Sequence, residues 1–432
     1  MKLTKYILLL FGLLCLSPLV VGNDEWAEDP WAEEEASWWS SWRTTFSIEA
    51  GARLQDNPVL SSDFTSAESR VQLQREDIFG RFATRLQLDG VVDEVSGDLF
   101  GRVRELAVSF PIGHSLNVRM GRQILTWGTG DLLFINDLFA KDWRSFFAGR
   151  DLKYLKAPSD ALKISYFTSW VNVDLVWNPE FDSDRYLTGE NFSFFSPLTG
   201  TLYGAPPRLH AHAPKQDEWS WRLSQEWQNT EWALYGYRGY FKRPLGVEAR
   251  SLNTNLMLVP IFPELSVFGA SARRSLAQGI GWFEIGRYQS REDKNGQDPL
   301  IPNNQDRFLL GYEQELLPRF TGSVQFYLEH QRQYRSLINN SLQPQLEPEE
   351  WRQVVTLRFS YRLMQEKLRL HWFSFYSPSD QDYYLLPSVN YRFSDQLQFD
   401  SGLNLFGGSD SHTFFSQLEE NSNLYGRVTW YF

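Results

Sequence analysis

The arginines of this sequence are spaced so that they could bind anions together. The chain holds 32 arginines and ten lysines, and the arginines recur on the polar side of segments that alternate polar and apolar residues. A planar guanidinium binds a carboxylate or a phosphate at two points, so rows of arginines suit the recognition of anions. The candidate lumen-facing arginines are Arg53, Arg70, Arg81, Arg85, Arg104, Arg119, Arg358, Arg362, Arg369, Arg392 and Arg427.

Two interpretations of these arginines are open. Carboxylates such as Glu49, Asp89 and Glu313 fall on the same polar faces, so arginine–carboxylate pairs could brace the wall of a barrel. The arginines on these faces outnumber the acids, however, and rings of basic side chains favour anions. The sequence therefore predicts a pore that attracts anions, with a bracing role as the competing interpretation.

Other kinds of chemistry have weaker support. Of the six histidines, only His210 and His212 are close enough in sequence to share a metal, and two ligands do not make a convincing site. His412 follows Asp410 and Ser411, but no Ser/His/Asp arrangement of a hydrolase is evident. The acidic net charge of −11 argues against nucleic-acid binding. We predict no enzyme activity, metal or cofactor.

The elements that must position the arginines are β-strands, as the last ten residues show. From Asn423 to Phe432, apolar and polar residues alternate strictly, which gives a strand one apolar face and one polar face. The segment is long enough for a tilted strand to cross a bilayer. Its aromatic ending at Trp430 and Phe432 resembles the closing-strand signal of bacterial outer-membrane barrels, which the barrel-assembly machinery reads.

Loop lengths predict the number of strands. Alternating segments recur from Thr44 onward, among them Ser69–Arg75, Leu99–Phe110 and Ser115–Trp127. The second of these changes phase after Arg104, which predicts a bulge. Short turns alternate with longer links, as in outer-membrane barrels with both termini in the periplasm. The strand count that starts from the first strand agrees with the count that starts from the last strand only if residues 241–263 form one outer loop. Asn253–Val259 is then not a barrel strand. The predicted fold class is an all-β transmembrane antiparallel barrel of about 18 strands, with sixteen as the closest alternative.

The chain divides into three predicted parts. Residues 1–22 read as a secretory signal peptide, which contains the only cysteine of the sequence. Residues 23–41 read as an acidic, Trp-rich periplasmic tail that could bind a periplasmic partner or keep the chain unfolded in transit. Residues 42–432 form the barrel, whose 17 Trp, 19 Tyr and 32 Phe suit aromatic girdles at the surfaces of an outer membrane.

The link from Gly128 to Asp160 carries more apolar residues than an exposed loop should. We therefore predict that it folds into the barrel and narrows it, with a short helix near Asn136–Phe147, rather than lying across the rim. Its charged and aromatic candidates for a constriction are Asp131, Asp137, Lys141, Trp143, Arg144 and Arg150.

One stretch resembles a known family. Val118–Gly128 reads VRMGRQILTWG, a strand with Gly-Arg-Gln followed by an aromatic residue and Gly, and it is similar to a strand of the alginate-export porins and related porin-like proteins. This resemblance implies eighteen strands and an arginine-lined pore for an anionic polysaccharide. The sequence predicts a channel in the bacterial outer membrane for polar, mainly anionic solutes; the alternative is a structural or surface-interaction barrel with a blocked lumen.

Overall fold

The computed structural model describes residues 41–197, 200–204, 211–252 and 255–432. Its main element is a sheet of eighteen antiparallel strands. The first nine, β1 to β9, are Trp42–Arg53, Phe64–Phe79, Phe82–Asp93, Asp98–Ile112, Leu116–Ile124, Pro158–Phe167, Asn172–Asn178, Glu218–Trp227 and Thr230–Tyr240. The last nine, β10 to β18, are Glu264–Leu276, Gly279–Ser290, Gln305–Leu317, Phe320–Gln331, Trp351–Leu363, Leu368–Ser377, Asp382–Arg392, Leu397–Gly408 and Asn423–Tyr431.

The sheet closes on itself, because β1 pairs with β2 on one side and with β18 on the other. The register of the closing pair runs from Thr45 opposite Tyr431 to Arg53 opposite Asn423. Along most of the wall, closure leaves no free strand edge, so the backbone groups there find their partners within the sheet. The predicted barrel of eighteen strands is confirmed.

The outer surface of the barrel is apolar. On β12, Leu310 is 62% exposed while its neighbour Leu309 is only 1% exposed, as expected when alternate side chains point to opposite sides of the wall. Phe268 on β10 and Leu234 on β9 are likewise exposed. An apolar surface around a closed barrel is suited to contact with lipid, whereas it would be unfavourable in water.

Loop lengths alternate along the barrel as the sequence predicts. Eight turns of two to four residues lie at one end, and the links at the other end reach 39 residues. Residues 241–263 contain two strands, Gly246–Leu252 and Asn255–Ile261, but these pair with each other and not with the wall. A second small hairpin, Phe194–Ser196 with Thr201–Tyr203, also stays outside the barrel sheet.

Some predicted strand boundaries are wrong. β2 extends well beyond the predicted Ser69–Arg75, because its polar ends pair with the long strands β1 and β3. β5 ends at Ile124, three residues earlier than predicted, where the chain leaves the wall. The predicted bulge on β4 is confirmed: Glu105 and Val103 pair with consecutive residues of β3, which leaves Arg104 between them without a partner in the register.

The helices are short. In the described part of the chain there are two α-helices, α1, Trp143–Phe147, and α2, Tyr334–Asn340, and three 3₁₀ turns at Leu152–Tyr154, Pro344–Leu346 and Ser416–Asn421. Among the described residues, no helix is long and apolar enough to cross a membrane. The predicted signal peptide at 1–22 and residues 23–40 of the predicted tail lie outside the described residues, so these assignments remain predictions.

Candidate functional site

The link between β5 and β6, residues 125–157, lies inside the barrel, and we call it the inserted loop. It contacts inward-facing side chains of β1 and β2 on one side and of β11 to β14 on the other. β2 and β11 are nine strands apart in a ring of eighteen, so these contacts lie on opposite walls. A loop that touches both walls must cross the lumen.

On the β11–β14 side, the loop is held by hydrogen bonds to carboxylate and amide groups, which we call the amide anchor. The Glu284 carboxylate accepts from the backbone N–H groups of Thr129, Gly130 and Asn136 and from the side chains of Thr129 and Asn136. Gln325 exchanges two hydrogen bonds of 2.8 Å with the backbone of Asp131. Glu284 and Gln325 are both buried, so these bonds satisfy groups that water cannot reach.

On the β1–β2 side, the loop is held by charges, which we call the ionic anchor. Arg150 forms an ion pair with Glu68 and lies 3.8 Å from Glu49, measured from its Nε to the carboxylate oxygen. Tyr154 accepts a hydrogen bond of 3.0 Å from the Gln72 amide, and the Arg70 guanidinium lies 4.4 Å from the centre of its ring.

The ionic anchor continues along the wall in both directions. Arg70 joins Glu68 to Asp89, at 3.0 and 2.9 Å, and Arg427 joins Glu49 to Asp400, at 3.3 and 3.5 Å. Positive and negative groups therefore alternate from β3 through the loop to β17. Such a chain of pairs stabilises the position of the loop but leaves little free positive charge for a solute.

Aromatic side chains fill the space between the two anchors and the wall. Phe146 and Phe147 of α1 are buried, and their rings contact Tyr384 at 5.6 and 5.9 Å between centroids. Phe147 also meets Phe406 edge-on. The N-terminus of α1 is capped by Asp142, whose carboxylate accepts from the Ser145 N–H. The helix predicted near Asn136–Phe147 is thus only five residues long. Residues 135–141 form bends and irregular backbone instead, and Glu284 and Asp184 bind this segment at Asn136 and Lys141.

The six predicted constriction residues divide into two groups. Asp131 and Arg150 contact the barrel wall, since Asp131 lies 2.9 Å from the Arg358 guanidinium, which also pairs with Glu313. The other four face the inserted loop itself or the link at 179–217. Their contacts are Asp137 with Lys141, Trp143 with Asp184, and Arg144 with Glu190.

Two carboxyl groups of the inserted loop have perturbed acidity. Burial raises the pKa of Asp131, and the nearby Arg358 guanidinium offsets this only in part. Asp142 is also buried, but Arg185 and Arg150 outweigh the desolvation and lower its pKa. Asp142 therefore stays ionised as a helix cap. Of these two carboxylates, Asp131 is the first to be protonated as the pH falls.

Most of the predicted lumen arginines have carboxylate partners. These are Arg70, Arg85, Arg119, Arg358, Arg362, Arg369 and Arg427. Within the described residues the remaining four form no ion pair. Arg53 and Arg104 donate to backbone carbonyls, Arg81 lies over the Phe82 ring, and Arg392 is exposed.

Sequence reasoning missed several residues that hold the site. Arg307 pairs with Glu329 at 3.2 Å and Arg352 pairs with Asp380 at 2.6 Å. Arg352 has the same parity on β14 as Arg358, so the alternation could have found it. Alternation also places Glu284 on the inner face, between Phe283 and Ile285, but it does not show that the inserted loop supplies its donors.

The remaining candidates lie away from the lumen or outside the described residues. Trp430 stacks on Phe46 at 5.7 Å, which joins the closing strand to the first. Phe432 is 67% exposed, and its backbone N–H donates to the Thr44 carbonyl at 2.9 Å. His210 lies outside the described residues, so the structure does not describe the possible metal site that it would share with His212.

Comparison with known proteins gives a match in fold but not in sequence. No protein-family model matches this chain. No curated protein matches it either. The resemblance to the alginate-export porins is therefore not shown by these comparisons.

Solved structures of outer-membrane porins have a similar fold. OccAB3 of Acinetobacter baumannii has a TM-score of 0.54 and 9% identity, over 90% of this chain and 98% of that chain. OccAB2 of the same species has a TM-score of 0.53 and 10% identity, over 91% and 98%. OccK5 (OpdH) of Pseudomonas aeruginosa has a TM-score of 0.52 and 8% identity, over 91% and 96%. Together with the apolar outer surface, this fold places the chain in a bacterial outer membrane.

Proposed function

We propose that this chain is a porin-like channel that passes polar, mainly anionic solutes across the outer membrane. The observation that carries the proposal is a closed barrel whose outside is apolar and whose inside is lined by charged and amide side chains. Arg53, Arg81, Arg104 and Arg392 support the preference for anions, since each keeps a guanidinium free of a carboxylate partner within the described residues. An anionic polysaccharide, implied by the alginate-export resemblance, is one class of solute that fits; no catalytic role is part of this proposal.

Planar-bilayer recordings of the refolded protein test this preference. In a KCl gradient we expect a reversal potential of the sign that chloride permeation produces. Replacing Arg53, Arg81, Arg104 and Arg392 together by Gln should shift that potential toward zero, while the double variant Arg362→Gln/Arg369→Gln, which removes exposed paired arginines, should shift it less. A cation-selective wild-type channel would contradict the proposal.

The inserted loop favours one alternative, a barrel with a blocked lumen. It contacts opposite walls through both anchors, and such a loop can act either as a constriction or as a plug. Deleting residues 131–150 should raise the single-channel conductance if the loop is a constriction. If the wild-type protein does not conduct and only the deletion variant does, the loop is a plug. Equal conductance of the two proteins would rule out any narrowing role for the loop.

The orientation and assembly of the barrel belong to the same proposal. The short turns and both termini would face the periplasm, the tail at 23–41 would meet a periplasmic partner, and Trp430 and Phe432 would be read by the barrel-assembly machinery. Phe432→Ala should lower the amount of folded protein in outer membranes. Phe393→Ala, which removes a similarly exposed ring at a turn, is the matched control and should leave that amount unchanged.

A further inference from the structure

The barrel wall is split between β4 and β5. These strands pair only from Leu106 opposite Arg122 to Ile112 opposite Leu116. Within the described residues, the part of β4 from Asp98 to Glu105 pairs with β3, apart from Arg104, but has no partner on β5. The bulge at Arg104 marks the point where the two strands separate. The wall therefore contains a cleft toward the loop end of β4.

Four guanidinium groups line this cleft. It encloses a cavity of about 160 Å³ that is bordered by Arg102 and Arg104 of β4, Arg122 of β5 and Arg185 of the link at 179–217. The carboxylate in the lining, Asp89, already binds Arg70 and Gln72. Arginine is therefore the most frequent residue type in the lining, beside the uncharged Gly101, Val103 and Pro158.

Two of the four arginines have no carboxylate partner within the described residues. Arg102 forms no ion pair there; the like charges of Arg185, Arg70 and Arg150 disfavour its positive charge, and the Asp142 carboxylate, which pairs with Arg185, favours it. Arg104 is buried, 6% exposed, and donates to the carbonyls of Lys153 and Lys156. Arg122 and Arg185 each pair with one acid, Asp160 and Asp142. Unpaired charge beside a partly desolvated cavity is costly unless an anion neutralises it.

The outward side of the cleft has the character of a lipid-facing surface. Leu99 and Val103 of β4 are exposed beside it, as are Leu106 and Met120 where the strands join. Arg122 shares the outward face with Met120, and its side chain is 39% exposed. A group bound here could thus come from the lipid side or from the lumen.

We propose that this cleft is a binding site for a phosphate group. Arginines from two strands and one loop border the cavity, which suits a tetrahedral oxyanion better than a planar carboxylate, for which one or two guanidinium forks suffice. The site does not depend on an open lumen, although it shares Arg104 with the arginines that support the anion preference proposed above. The phosphate comes either from an outer-leaflet glycolipid or from a phosphorylated solute.

The test uses the full-length protein purified in detergent and two probes. Inorganic phosphate binding is measured by calorimetry, and lipid A binding is measured by native mass spectrometry beside lipid A from which the phosphates have been removed. Arg102→Gln should weaken phosphate binding about tenfold or more, because one charge-assisted contact is lost. Arg102→Lys, which keeps the charge but not the fork, should give a smaller loss.

Arg319→Gln is the matched control. Arg319 is also without an ion pair within the described residues, but it lies in the exposed turn between β12 and β13, eight strands from the cleft between β4 and β5. Its replacement should leave binding unchanged. Heat-modifiable migration in gels verifies that each variant is a folded barrel.

The outcomes separate the two sources of phosphate. Tighter binding of lipid A than of its dephosphorylated form, lost in Arg102→Gln, supports the site and identifies a lipid headgroup. Binding of inorganic phosphate alone, lost in the same variant, supports the site and identifies a soluble phosphate. If neither probe binds the wild type, or if Arg102→Gln binds as the wild type does, the proposal is wrong.

Discussion

The two anchors of the inserted loop do the same task with different interactions. The ionic anchor joins Arg150 of the loop to Glu68 and Glu49 of the wall, so charged side chains stand on both partners. In the amide anchor the loop contributes mainly its own backbone N–H groups, and the wall contributes Glu284 and Gln325. The first anchor depends on which side chains the loop carries, whereas the second depends on the path of its backbone.

This difference has a consequence for how each anchor can fail. Removing one partner of a buried ion pair leaves an uncompensated charge, which is more costly than the pair itself was favourable. Removing one acceptor from a set of backbone donors leaves several neutral groups unsatisfied, each at a smaller cost. The ionic anchor should therefore respond more strongly to a single substitution than the amide anchor does.

The largest effect is expected for Arg150→Ala. Glu68 would keep Arg70, but Glu49 would rely on Arg427 alone, and we expect a loss of about 3–5 kcal/mol in the free energy that holds the loop in place. Hydrogen exchange of residues 142–157 in the folded barrel measures this opening. Arg362→Ala is the control, because its pair with Glu366 is exposed and should contribute at most about 1 kcal/mol. Equal exchange in the two variants would show that the ionic anchor does not hold the loop.

A smaller effect is expected for Glu284→Gln, which keeps the size of the side chain. One carboxylate oxygen becomes an N–H₂ group that faces the donors of Thr129, Gly130 and Asn136, and this should cost about 1.5–3 kcal/mol. Faster hydrogen exchange should be confined to residues 129–136. Glu226→Gln, at an exposed position near the turn end of β8, is the matched control. If exchange spread equally to residues 142–157, the two anchors would be one cooperative unit and their comparison would fail.

The wall of the barrel could be predicted from the sequence, because its rules are local and repetitive. Alternation at every second residue assigns an inner and an outer face, and the contrast between short turns and long links fixes the parity of the count. That parity kept the hairpin of Gly246–Leu252 and Asn255–Ile261 out of the wall. The phase change at Arg104 likewise located the bulge from the sequence alone.

The pairing inside the lumen could not be predicted in the same way. Parity shows that Arg70 and Arg427 point inward, but not that Glu68 and Glu49 are shared between these arginines and Arg150 of the loop. Such contacts join strands and a loop that are far apart in sequence, and their geometry depends on the tilt of the barrel. The arginines that have no carboxylate partner in the described part of the chain, such as Arg81, could therefore be identified only from the structure.

The smallest effect concerns the pH dependence of the amide anchor. Burial raises the pKa of Asp131 above its ordinary value, so the folded loop binds a proton at this carboxyl more readily than the released loop does. The stability that this proton adds is complete below the ordinary pKa of the carboxyl and is lost as pH rises through the raised value. Exchange at 129–136, corrected for the intrinsic pH dependence, should therefore slow as pH falls through that interval.

Asp131→Asn is the variant that isolates this effect. The neutral amide cannot titrate, and the backbone of residue 131 keeps its hydrogen bonds to Gln325. The stability of the loop should therefore differ less between a pH inside the interval and a pH above it. Arg358 would retain Glu313 as its partner, which limits any other change. Asp151→Asn, at a carboxyl of the same loop that caps the 3₁₀ turn at Leu152–Tyr154, is the control. If the pH dependence persisted unchanged in Asp131→Asn, another carboxyl group would be responsible for it. The two anchors would then not differ in their response to acid.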